Sequence, residues 1–296
     1  MSGHPEPGAD QRAAPRVGGR ALRLARVLVL VALSGAVIAP LRAAGPIDLR
    51  ADLWFPVNGH PEAARPGFGI EILRRIWPPG GYALQYRLQP WSRSLNLVRE
   101  GRADCVIGAY PTDAPDFRYP EEPLAFDSAA LYVADNTRLR YDGLDSLLGL
   151  RLGAIADYSY GARFDQWLKR HSGDPGVEVI AGQNALEKNL RKLISGRLDV
   201  LVESPLVMQA KLESMHLASR VRMVTEVSEP MPIFVACTPA ERSRAWLAAY
   251  DQGLRRMRAD GTLDAIYRRY GIDPERQATL RQRWLDSPAT KAVGAE

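Results

Sequence analysis

The chain has 296 residues, 46% of them hydrophobic, which allows two domains of ordinary size with real cores and excludes a low-complexity chain. The formal net charge of +5 sits mostly at the start: residues 1–44 hold six Arg against Glu6 and Asp10. The remainder has 33 Lys and Arg against 32 Asp and Glu and no basic cluster, which argues against a nucleic acid partner.

Arg20, Arg23 and Arg26 precede an apolar run from Val27 to Ala39, followed by Pro40-Leu-Arg-Ala-Ala44. A thirteen-residue, mainly apolar run is too short for a comfortable membrane span and fits a signal-peptide core. Residues 1–44 are therefore read as a signal peptide removed near Ala43 or Ala44, with an uncleaved anchor as the alternative. The mature protein is expected in the periplasm.

Ile47 to Phe55 reads as a first strand entering a turn at Pro56 and Asn58-Gly59. Ile70, Leu73, Ile76 and Trp77 have helical spacing, closed by Pro78-Pro79-Gly80. Tyr82 to Gln89 alternates like a strand, Trp91 to Glu100 is a helix, and Asp104 to Ala109 is the next strand. The order β-α-β-α-β is the signature of a parallel sheet. Residues 111–128, rich in Pro and acids, read as a loop. Ala129 to Ala134 is taken as a strand crossing into a second lobe.

That lobe repeats the pattern. Arg151 to Ala156 is a strand, Tyr158-Ser-Tyr-Gly161 leads into a helix through Leu168, and Val177 to Ala181 is a strand. A helix follows on Leu186, Leu190, Leu193 and Ile194, then a strand from Val200 to Glu203. Met231 to Cys237 carries the chain back. Helices follow at Arg244 to Arg258 and Thr262 to Tyr270, and residues 287–296 read as a disordered tail.

One unit occurs twice. A helix with an apolar stripe, then Gly101-Arg-Ala-Asp104 or Gly196-Arg-Leu-Asp199, leads into a short apolar strand. Each Gly stands where a helix end needs a residue tolerant of positive φ. Two such units predict two similar α/β lobes. In open α/β sheets ligands bind outside the carboxyl ends of the strands, here Gly108 to Tyr110 and Glu203. Cys105 and Cys237 both fall in predicted strands; buried thiols and a disulfide are both open. Two Cys without paired His spacing give no metal site, and no cofactor is expected.

With these motifs in place, the sequence resembles the amino-acid-type extracellular solute-binding proteins of ATP-driven importers. The resemblance rests on Gly67-Phe-Gly-Ile-Glu-Ile-Leu, Gly101-Arg-Ala-Asp-Cys-Val-Ile-Gly, Leu147-Leu-Gly-Leu-Arg-Leu-Gly, Gly196-Arg-Leu-Asp-Val-Leu-Val-Glu and Asp260-Gly-Thr-Leu-Asp-Ala-Ile-Tyr-Arg-Arg-Tyr-Gly271, in family order over residues 47–273. It implies two mainly parallel α/β lobes joined by two crossing strands and closing on a solute by hinge motion. Lobe 1 is then 45–133 plus 235–286, and lobe 2 is 134–234.

The resemblance also implies ligand contacts. Members that bind an α-amino acid have an acid four residues past the second Gly-Arg-x-Asp, which pairs with the ligand ammonium; here it is Glu203. They have Thr-x-x-Arg after the first lobe's strand, with the Arg clamping the carboxylate; here the motif reads Thr112-Asp-Ala-Pro115 and the Arg is missing. Arg118 and Arg93 are the candidate substitutes, with a surface position as the alternative for each. Tyr158, Ser159 and Tyr160 precede a helix, where Ser159 is read as a helix cap, a ligand contact, or both. Trp54, Trp91 and Tyr110 fall near strand ends as candidate aromatic walls.

The leading expectation is a periplasmic, monomeric solute-binding protein, without enzymatic activity, that hands a small polar, amine-bearing solute to the membrane permease of an ABC importer. Two alternatives stand beside it: a periplasmic dehydratase of the cyclohexadienyl type with Glu203 as general acid, and a ligand-sensing partner of a signalling protein.

Overall fold

The computed structural model describes residues 45–182 and 184–287. The expected signal peptide and most of the expected tail lie outside the described residues. Two five-stranded sheets form the frame. The first uses β1 (Ile47–Ala51), β2 (Leu84–Leu88), β3 (Cys105–Ala109), β4 (Ala125–Asp127) and β10 (Met231–Cys237), in the order β2-β1-β3-β10-β4. The second uses β5 (Ala130–Ala134), β6 (Leu152–Ile155), β7 (Val177–Ile180), β8 (Val200–Glu203) and β9 (Val221–Glu226), in the order β7-β6-β8-β5-β9.

The sheets share one plan. In each, the first three strands in spatial order are parallel, and the fourth, β10 or β5, runs antiparallel to both neighbours. Each fourth strand is the one the chain lays down on arriving from the other lobe. Residues 129–134, expected to cross, instead pair along β8 and β9, so the first crossing falls at Ser128 and Ala129. β10 likewise lies wholly in the first sheet, and the return crossing falls between β9 and β10.

The Gly-Arg-x-Asp repeat has one structural job in both lobes. Gly101 and Gly196 both adopt φ of +69°, ending helices α2 (Trp91–Arg99) and α4 (Ala185–Ile194). The Asp104 carboxylate accepts from the backbone N–H of Asp48 (2.9 Å), and the Asp199 carboxylate from that of Arg151 (2.8 Å). Each Asp also donates its own backbone N–H to the carbonyl of that same residue. The repeat thus fixes the start of the third strand against the first.

Alternation along β8 sorts its side chains by face. Val200 and Val202 pack with Phe164 and Trp167 of α3 (Ala162–His171). Leu201 packs with the other core, which holds Leu186 and Leu190 of α4 and Val207 and Met208 of α5 (Pro205–Ser214). Glu203 therefore points to the side of α4 and α5. In the first lobe, α1 (Phe68–Ile76) buries Phe68, Ile70, Ile72 and Leu73 against α6 (Arg242–Ala259) and α7 (Thr262–Arg269).

Four strands and α-helices were not anticipated: β4 within the expected loop, α5, β9 and α8 (Pro274–Asp286). The last closes the first sheet's edge. Buried Gln277 accepts from the Phe126 N–H (2.7 Å) and donates to the Phe126 carbonyl (2.9 Å), taking both backbone groups of that edge residue. Cys105 and Cys237 form a disulfide between β3 and β10, which are antiparallel and set the two residues directly opposite.

Candidate functional site

The site is built where strand ends from both lobes meet. After β1 the chain turns back on itself, with Trp54 and Asn58 bridged and the Asn58 amide donating to the Asp52 carbonyl (2.6 Å). Gly108 of β3, at φ +88°, makes room for this turn: a Cβ there would lie 3.1 Å from both the Trp54 ring and the Asn58 side-chain oxygen. Trp54 then meets Tyr110 edge-on (6.0 Å, 86°) and, from the other lobe, Tyr158 (6.4 Å, 79°).

Polar contacts follow the same line. The Tyr158 hydroxyl donates to Asp52, and the Ser92 hydroxyl on α2 donates to Asp157. Thr112 donates to Ser159 (3.0 Å), which donates on to Asp165 (2.6 Å). Trp91 is buried in the first turn of α2 and faces the same narrow space as Asp52, Asp113 and Ser159. That space and its neighbour beside Tyr110 and Ser204 hold about 20 and 10 Å³, room on the order of a single water each. The three aromatic rings fill the strand-end crevice.

Glu203 lies at the bottom of this arrangement, 1% exposed. Its Oε1 accepts from the Ser204 N–H (2.8 Å), while Oε2 is buried with no hydrogen-bond partner. Burial pushes its pKa up to about 8, with the nearby Asp127 and Asp52 carboxylates adding to the rise and the Ser204 N–H and Trp54 indole opposing it. The Trp54 N–H acts by proximity, because it makes no hydrogen bond of ordinary geometry. Ser204 caps α5 by accepting from the Val207 N–H (3.2 Å) and donates to Asp127 of β4, so one side chain joins a second-lobe helix to a first-lobe strand. Burial raises Asp127 and Asp113 to about 7 and Asp52 to about 6.

A cavity of about 320 Å³ opens from Glu203, Trp54 and Tyr158. The first lobe contributes the segment after β1, including Leu53, Phe55 and Ala63. The second contributes Ile155, Tyr158, the start of α4, and Val207, Ala210, Lys211 and Ser214 along one face of α5. Sequence reasoning found its base and one wall, Glu203, Trp54 and Tyr158. It missed α5, although Ser204-Pro205 is a helix-start signal, with a capping hydroxyl followed by Pro at the first helical position.

The other expected residues divide. Trp91, Tyr110, Thr112 and Ser159 come together around the crevice. Ser159 does not cap a helix: the N-cap of α3 is Gly161, and Ser159 reaches Thr112 and Asp165 instead. Tyr160 borders the crevice near Glu203, but its hydroxyl accepts from the Ile155 N–H (2.8 Å) and its ring packs on Phe164. Neither Arg substitutes for the missing clamp. The Arg118 guanidinium donates to the Pro239 carbonyl (2.9 Å) because its backbone is held in a bridge to Cys237. Arg93 is exposed on α2. Neither lines the cavity or the crevice. Among the described residues no group of three His, Cys, Asp or Glu could hold a metal ion.

The chain belongs to the bacterial extracellular solute-binding proteins, family 3, whose model matches residues 53–273. A Vibrio harveyi protein named as an amino-acid ABC transporter-binding protein, PatH, is 23% identical over 221 residues, covering 72% of this chain and 83% of its own. A histidine kinase sensor domain described as similar to periplasmic binding proteins superposes with a TM-score of 0.65 at 19% identity, covering 77% of this chain and 96% of its own. An ancestral arginine-binding protein bound to arginine gives 0.63 at 21% identity, covering 77% and 99%. These likenesses to solved structures are likenesses of fold. Among the described residues no helix is long and apolar enough to cross a membrane.

Proposed function

We propose that this solute-binding protein captures a small amine-bearing solute on Glu203 and delivers it to the permease of an ABC importer. Residues 1–44 direct export to the periplasm, where the protein acts as a monomer. The ligand enters between two lobes, 45–128 with 230–286 and 129–229, which hinge at the two crossings.

The observation that carries this reading is the unpartnered Oε2 of Glu203 at the base of a mostly apolar cavity. Leaving a buried acceptor unpaired costs about 1–3 kcal/mol. A ligand ammonium supplies both the missing donor and the countercharge, and pairing with it restores the carboxylate form. Among the described residues the one guanidinium on this lining, Arg65, is held by the Arg269 carbonyl, which fits an amine better than the adjacent charges of an α-amino acid.

A thermal-shift screen of amines, amino acids and organic acids, followed by calorimetry on Glu203→Gln, tests the reading. Amines are expected to stabilise the wild type, and Glu203→Gln to weaken them by about 2–5 kcal/mol. Unchanged affinity in the variant contradicts it. A second reading has one specific observation in its favour: a buried carboxyl that keeps its proton near neutral pH suits a general acid, as in a dehydratase. Under that reading Glu203→Gln abolishes turnover of a prephenate-like compound while binding persists.

A further inference from the structure

The cavity has a direction. It runs from Glu203 along α5, whose cavity-lining residues Val207, Ala210, Lys211 and Ser214 follow the helical i, i+3, i+4, i+7 spacing of one face. Val207 and Ala210 continue the apolar lining, so the first polar group met on this face beyond Glu203 is the half-buried Lys211. Among the described residues its ammonium forms no hydrogen bond or close ion pair, though its charge reaches Glu187 and helps hold that carboxyl below its ordinary range. The other charged groups on the lining are engaged or outside: Glu187 is held by Arg191 (2.8 Å), Arg65 donates to the Arg269 carbonyl and lies over the Tyr270 ring, and His60 is exposed.

From Pro205, next to the Glu203 end of the helix, to Lys211 the backbone rises ~9 Å. The Lys side chain leans back toward the helix start and shortens the span to be bridged. An α-amino acid holds its nitrogen and carboxyl carbon only ~2.5 Å apart and cannot reach both groups. An amine with a distal carboxylate can, its methylenes lying against Val207 and Ala210.

Resting on the reading of Glu203 as the amine site, we propose that Lys211 is a specificity-determining ligand residue, and that the substrate class is an ω-amino acid: an amine and an anionic end separated by an apolar spacer. The two charges then sit at opposite ends of the cavity, on Glu203 and Lys211.

Calorimetric titration with ε-aminocaproate, norleucine, hexylamine and cadaverine tests this, using wild type, Lys211→Met, Lys211→Glu and Glu203→Gln, each checked for folding by circular dichroism. Wild type is expected to favour ε-aminocaproate over hexylamine, norleucine and cadaverine by roughly tenfold or more. Lys211→Met should erase the preference over hexylamine, and Lys211→Glu should reverse the preference toward cadaverine. Norleucine binding as tightly as ε-aminocaproate, or a preference over hexylamine that survives Lys211→Met, overturns the proposal. Loss of hexylamine binding in Glu203→Gln keeps the amine site standing even then. If no amine binds the wild type, or if Glu203→Gln binds hexylamine as tightly, the reading of Glu203 falls and this proposal with it.

Discussion

The Tyr158 hydroxyl donates a hydrogen bond to the Asp52 carboxylate, tying the segment after β6 to the segment after β1. The same ring packs edge-on against Trp54, so polar and apolar contacts between the lobes share one residue. Ser92 with Asp157, and Thr112 with Ser159, extend the seam in hydrogen bonds alone.

Tyr158→Phe keeps the ring and removes the hydroxyl. A hydrogen bond to a charged group contributes about 1.5–3 kcal/mol. The variant should fold, populate a more open form by small-angle scattering, and bind hexylamine roughly ten- to a hundredfold more weakly. Unaltered scattering and affinity would show that the contact has no part in holding the lobes together.

Stability should fall as pH rises through the neutral range. Burial raises Asp52 to about 6, Asp113 and Asp127 to about 7, and Glu203 to about 8, from ordinary values of 3.8 and 4.5. Each keeps its proton to a higher pH in the folded chain than in the unfolded one. The folded state therefore binds more protons between about pH 4 and 8, and stability declines across that window. Urea unfolding midpoints at about pH 5 and about pH 8 should show the drop, and Glu203→Gln should make it smaller. A midpoint that rises with pH would contradict the burial of these groups.

Cys105 and Cys237 close a loop with a sequence separation of 132. Replacing both by Ala should cost about 2–5 kcal/mol of unfolding free energy and leave hexylamine affinity unchanged, since neither residue lines the site. The intact protein should weigh two hydrogens less under non-reducing conditions. Equal stability of the oxidised protein and the double variant would mean that the crosslink adds nothing.

Gly108→Ala should act on Trp54. The new Cβ meets the indole ring and Asn58 at 3.1 Å in a backbone conformation that disfavours side chains. A cost of about 1–3 kcal/mol is expected. Tryptophan fluorescence should shift and hexylamine affinity should drop as the ring leaves its place beside Glu203. A silent substitution would show that the turn after β1 has slack.

The features of the fold that are legible in the sequence are those that repeat or alternate. The Gly-Arg-x-Asp units announced two similar lobes because helix end, strand start and carboxylate tie are all local to one short stretch. Glu203 was legible because it closes such a unit. β4 was hidden because three residues show no periodicity. α5 was hidden because Leu206, Val207, Met208 and Leu212 do not fall on one stripe: the helix has apolar neighbours on more than one side. α8 is largely polar, and its hold on the chain runs through Gln277 to the backbone of Phe126, a partner 151 residues away. Arg118 failed as a clamp for the same kind of reason: its bridge to Cys237 is a long-range pairing that local spacing does not reveal.

Proton release on binding measures most directly whether Glu203 holds a ligand ammonium. Near neutral pH the free protein keeps Glu203 largely protonated, since its pKa is raised to about 8. An ammonium favours the carboxylate and should expel that proton. Titrating hexylamine at about pH 7 in buffers of different ionisation enthalpy should give a release approaching one proton per amine bound, and none in Glu203→Gln. Binding with no proton released from the wild type, or the same release from Glu203→Gln, would contradict an ammonium seated on Glu203.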